Sequence, residues 1–133
     1  MRANRKSETA GWSPDSRMVI RNYNTRYDTE SAYLFVIAPD GSLAGKLDLL
    51  PMVQSAVGAA VKQRKKDPEG MSFSMSDRKR QLANDGTFRF KANYFVPKGE
   101  DIFTYKVTVK IDATGKKSTA PSARVTAIAA VKD

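Results

Sequence analysis

Residues 86–111, Gly86-Thr-Phe-Arg-Phe-Lys-Ala-Asn-Tyr-Phe-Val-Pro-Lys-Gly-Glu-Asp-Ile-Phe-Thr-Tyr-Lys-Val-Thr-Val-Lys-Ile111, decide the fold. Apolar and polar residues alternate with period two on both sides of a turn-rich break between Pro97 and Asp101. That pattern predicts an antiparallel hairpin with one dry and one wet face. Phe88, Phe90, Ala92, Tyr94 and Val96 fall on the dry face of the first strand, and Phe103, Tyr105, Val107, Val109 and Ile111 on that of the second. The wet face carries Arg89, Lys91, Asn93, Thr104, Lys106, Thr108 and Lys110, with no acid at any of these positions.

Working outward, residues 112–122 read as a loop that includes Lys116 and Lys117. A last strand runs from Ala123 to Val131. Its alternation places Val125, Ala127, Ala129 and Val131 on one face and Arg124, Thr126, Ile128 and Lys132 on the other. Upstream, Met71, Phe73 and Met75 alternate with Ser72, Ser74 and Ser76, which predicts a strand with a serine face. A basic loop containing Arg78, Lys79 and Arg80 follows and ends in an Asp85-Gly86 turn.

A helix is expected over about residues 51–66. Pro51 suits its first turn, where a missing N–H costs nothing. Asp48 complements the positive helix start, and Lys62, Arg64, Lys65 and Lys66 complement its negative end. Met52, Val53, Ala56, Val57, Ala59 and Ala60 form an apolar stripe at helical spacing. The alanines and Gly58 imply close packing on a flat neighbour. Residues 17–25 and 31–38 read as strands, and 42–49 as a short third closed by the Pro39-Asp40-Gly41-Ser42 turn. The run from Ala32 to Ala38 is apolar on both faces, which fits a strand in mid-sheet or one covered on both sides.

The fold class is therefore α+β: a mostly antiparallel sheet of about six strands with one substantial helix packed across it. Residues 17–133 form a single domain, and residues 1–16 read as a basic arm with Arg2, Arg5, Lys6 and the lone Trp12. At 133 residues the chain has the size of one domain.

The net charge is +9, from 23 Lys and Arg against 14 Asp and Glu. A balance this basic in a small domain points to a polyanionic partner, nucleic acid before membrane. The residues expected to contact it are Arg2, Arg5, Lys6, Arg78, Lys79, Arg80, Arg89, Lys91, Lys106, Lys110, Lys116, Lys117 and Arg124. Lysine and arginine neutralise phosphates, while threonine and asparagine donate hydrogen bonds. Most of the aromatics share the dry face and belong to the core. Trp12, Tyr23, Tyr27 and Phe95 are left as candidates for stacking on unpaired bases.

The chain has neither cysteine nor histidine. That removes thiolate metal sites and cysteine nucleophiles, along with the commonest general base. Glycine-rich phosphate motifs and a nucleophile elbow are absent too. No enzyme, metal or cofactor is expected, and no small-molecule substrate. No stretch approaches the roughly 20 apolar residues of a membrane span, and the polar N-terminus lacks the apolar core of a signal peptide.

The reading that gathers these features is a non-enzymatic, self-assembling structural protein, a small viral or phage coat type. It would contact RNA or DNA through the basic sheet face and arm, and copies of itself through the helix and strand edges. It would act in a virion or in the host cytoplasm. A soluble single-stranded nucleic-acid-binding module of small β-barrel type is the alternative.

Overall fold

The computed structural model describes residues 7–25, 28–64, 66–76, 80–96, 99, 102–113 and 121–131. Among them are nine strands, paired antiparallel in two sheets, and one helix. Sheet A follows chain order: β1 (Ser7–Trp12), β2 (Met18–Asn24), β3 (Thr29–Ile37) and β4 (Leu43–Asp48). Helix α1 (Leu50–Gln63) comes next. Sheet B is built from β5 (Ser72–Met75), β6 (Gln81–Leu82), β7 (Thr87–Phe95), β8 (Ile102–Asp112) and β9 (Ser122–Ala130). Its lateral order is β5-β7-β8-β9, with β6 also paired to β7.

Class and antiparallel character are as the alternation predicts, but there are more strands than about six, and they form two sheets. The extra strands are ones that burial patterning does not mark. Ser7–Trp12, in the stretch read as an arm, pairs with β2 from Ser7↔Asn24 to Trp12↔Val19. Gln81–Leu82, in the stretch read as a loop, pairs with Arg89 and Phe88. Both are held by the backbone of a neighbouring strand, and β6 adds one side chain, Leu82, to the core.

Three surfaces meet in one core. Sheet A contributes Met18, Ile20, Ala32, Leu34 and Val36, the helix Val53, Val57 and Val61, and sheet B the dry faces of β5, β7 and β8. The three helix valines are spaced by four, so they line one side of α1. Pro51 falls in the first turn, and the Asp48 carboxylate accepts the Leu50 N–H at 3.0 Å. Helix α1 lies against β7 at Gly58: a Cβ there would make an ordinary contact, 3.4 Å from the Tyr94 hydroxyl oxygen. The same hydroxyl donates to the Gln54 carbonyl at 3.2 Å. Phe88 and Phe90 stack at 4.6 Å, and Phe73 meets Tyr94 at 4.9 Å.

A side-chain seam joins the two sheets. The outer edge of β5 faces sheet A and is satisfied without a backbone ladder. Phe73 N–H donates to the Asp28 carboxylate at 3.1 Å, and Met75 N–H to the Thr29 hydroxyl at 2.8 Å. The buried Asn22 amide donates to the Met75 carbonyl at 3.4 Å and accepts from Arg80 Nη1 at 3.1 Å.

The last strand departs from simple alternation. Val109 faces Val125, but Thr108 faces Ala127, so Thr126 is an extra residue in β9. Such a bulge reverses the facing of everything beyond it. Val125 and Ile128 therefore both pack against the core, while Ala127 and Ala129 turn to the wet face opposite Thr108 and Lys106. Val96, expected on the dry face, lies past the end of β7 and is exposed.

Two glycines give a direct test of backbone constraint. Gly86 has φ +90°, and a Cβ there would lie 2.1 Å from the Ile111 carbonyl oxygen; Gly41 has φ +86° in open space. Gly41→Ala is expected to cost only the left-handed conformation, about 1–2 kcal/mol. Gly86→Ala must also move backbone, and its thermal midpoint is expected to fall well below that of Gly41→Ala.

Candidate nucleic-acid interface

The wet face of sheet B is set by strand register. Lys110 faces Arg124, Arg89 faces Thr108, Lys91 faces Lys106, and Asn93 faces Thr104. Successive rows on one face are about 6.8 Å apart. Arg89, Lys91, Lys106 and Arg124 are exposed, while Lys110, Asn93, Thr104 and Thr108 are half-buried. Among the described residues the one acid within these strands is Asp112, at the last position of β8.

Lys91 directly opposite Lys106 is an unfavourable pair. Like charges facing each other across a ladder cost about 0.2–1 kcal/mol. An anion lying between them removes that cost. Among the described residues Lys110 has an acid partner on this face. It donates to the Asp85 carbonyl, and its Nζ lies 3.8 Å from the Asp85 carboxylate.

Beside Lys91 is an open polar groove of about 400 Å³. Lys91, Asn93, Thr104, Ser74 and Ser76 line it together with Asn24 and Thr25 from sheet A. It combines one ammonium with several hydroxyl and amide donors, a set suited to phosphate oxygens. The serine alternation of residues 72–76 was a partial sign of it. The contribution of Asn24 and Thr25 depends on how the sheets meet and has no sequence signal.

Of the residues expected to bind nucleic acid, Arg89, Lys91, Lys106, Lys110 and Arg124 come together on this face. Arg80 stands apart from them. Its guanidinium donates to Asn22 Oδ1 and, at 3.5 Å, to the Ile20 carbonyl, and it lies where a Cβ on Gly11 would be. It is part of the seam. Arg2, Arg5, Lys6, Arg78, Lys79, Lys116 and Lys117 lie outside the described residues, as does Tyr27. Phe95 closes the far end of the face opposite Ile102.

Among the described residues no three acidic side chains gather as a metal site would require, and no helix is long and apolar enough to cross a membrane. Comparison with protein-family models, curated proteins and solved structures gives no match.

Two turn carboxylates are held ionised, Asp85 beside this face and Asp15 in the β1–β2 turn. The Ser13 hydroxyl and then the Arg17 N–H hold Asp15 below the ordinary aspartate range. The Thr87 N–H does the same for Asp85, with Lys110 adding to it. A depressed folded pKa stabilises fully above the unfolded aspartate value and is lost as pH falls through the folded value. Asp15→Asn with Asp85→Asn is therefore expected to lower the thermal midpoint at neutral pH and to make its decline below about pH 4 shallower. Midpoints measured across that range check this.

Proposed function

We propose that this chain is a non-enzymatic structural protein that assembles with copies of itself and packages nucleic acid, as a small viral or phage coat protein does. The observation that carries the nucleic-acid part is the lysine pair on sheet B. Lys91 and Lys106 face each other on a surface whose one acid among the described residues is at a strand end. Such a surface binds a polyanion through counterion release, with little regard to sequence. Whether the polyanion is RNA or DNA, charge neutralisation is the same.

Self-association is supported by β9. Its inner edge pairs with β8, while among the described residues no strand pairs with its outer edge. From Val125 to Val131 the strand carries no charge. Natural edges are normally guarded by charge, proline, bulges or brevity; here Arg124 and the bulge at Thr126 sit toward one end, and the uncharged stretch from Ala127 to Ala130 is left as a template for another strand. Antiparallel pairing of β9 with its copy across a two-fold axis is self-complementary. It would extend the basic face from one subunit to the next.

The alternative is a soluble single-strand-binding module, which shares the basic face but not the need for an open edge. Size exclusion with light scattering and absorbance at two wavelengths, on protein expressed without nuclease, separates the two. A large particle rich in nucleic acid supports the coat reading. A small species that releases nucleic acid in high salt supports the module. A monomer free of nucleic acid at low salt refutes both.

Lys91→Gln with Lys106→Gln is expected to lower affinity for a single strand and to reduce the slope of log affinity against log salt by about 1.4. The thermal midpoint should hold or rise, because a like-charge pair has gone. Unchanged binding removes the sheet face from the interface. Ala127→Lys with Ala130→Lys places charge on the β9 edge and is expected to abolish large assemblies while nucleic-acid binding by the subunit persists. Particles of unchanged mass exclude that edge.

A further inference from the structure

We propose that the outer face of sheet A is a second, separate site, a platform on which unpaired nucleobases stack between Trp12 and Phe35. The register places Trp12, Val19, Phe35 and Lys46 in one row across all four strands. Val19 is outside the core cluster yet only 4% exposed, so its neighbours on the outer face cover it. Trp12 is 54% exposed. An open groove of about 340 Å³ lies here, lined by Trp12, Val19, Arg21, Phe35, Ile37 and Leu43. The strands bearing Trp12 and Phe35 are two apart, about 9.6 Å. A flat ring with one contact of about 3.5 Å on each side needs about 7 Å. A base laid over Val19 is within reach of both aromatics.

The cations around the groove identify the ligand as more than an apolar ring. Arg21 is exposed in the next row, facing Tyr33. Lys46 Nζ lies 4.3 Å from the centre of the Tyr33 ring and 5.9 Å from that of Phe35. Aromatic surface interleaved with arginine and lysine is how single-stranded nucleic acid is held without sequence preference. Asp48, the acid in the Tyr33 row, is engaged with the Leu50 N–H. The cations at this groove, Arg21 and Lys46, complement a polyanion rather than an apolar partner.

The inference rests on the nucleic-acid reading above but uses a different sheet, so the two can fail separately. Trp12 is the only tryptophan in the chain, and its emission reports this groove alone. The full chain is titrated with a labelled thymidine oligonucleotide of about ten nucleotides, and with an abasic strand of the same length. Anisotropy records binding, and Trp12 emission records stacking.

The expected result is saturable quenching by the thymidine strand at the same midpoint as its anisotropy. The abasic strand should bind without quenching. Trp12→Ala should weaken the thymidine strand at least about fivefold, the loss of one base stack, and leave the abasic strand unchanged. Phe35→Leu should do the same with Trp12 present and diminish the quench. Binding of the thymidine strand without quenching overturns the platform and leaves the sheet B face standing. No binding of either strand overturns both. A blue shift of Trp12 that grows with protein concentration and mass, in the absence of nucleic acid, makes this face a contact between copies and overturns the platform.

Discussion

Everything outside the core is positioned by the way β5 meets sheet A. An exposed strand edge was replaced there by three side chains: Asp28 and Thr29 accept the β5 N–H groups, and Asn22 reaches its carbonyl. Buried polar groups are costly when unpaired, so these contacts are specific as well as favourable. Arg80 completes the set by bonding Asn22 and occupying the space that Gly11 leaves open. With the seam fixed, two differently built faces result. Sheet B presents lysine, arginine and hydroxyl groups, and sheet A presents aromatic rings beside cations.

Much of this was legible in the residues. The alternation of 86–111 fixed which side of β7 and β8 is dry, and every expected core position from Phe88 to Tyr94 and from Phe103 to Ile111 is buried. The helix stripe was recognised through Val53 and Val57, although Ala59, placed in it, is exposed and Val61 does more of the packing. The basic wet face followed from the same alternation, because period two assigns Arg89 and Lys91 to one side as firmly as Phe88 and Phe90 to the other.

The rest was hidden for identifiable reasons. The division into two sheets depends on contacts between residues about fifty positions apart, such as Asn22 with Met75, and short-range pattern carries no trace of these. The run Ala32–Ala38 is apolar throughout, which left open whether both its faces are covered. In the structure β3 is in mid-sheet, with Ala32, Leu34 and Val36 buried on one side and Tyr33, Phe35 and Ile37 only half-buried on the other. The bulge at Thr126 was invisible because small residues on both faces of β9 fit either phase. The polar groove beside Lys91 needs Asn24 and Thr25 from the other sheet.

That bulge has a consequence for what can bind along β9. A bulged strand bends and twists more sharply than a regular one. The two halves of β9, before and after Thr126, are out of phase with each other. A straight foreign strand can follow one half and then loses register with the other. A strand carrying the same irregularity, turned end for end, follows both. On the proposed self-pairing, the extra residue would work as a key that admits a strand of the same irregularity and disfavours a straight one.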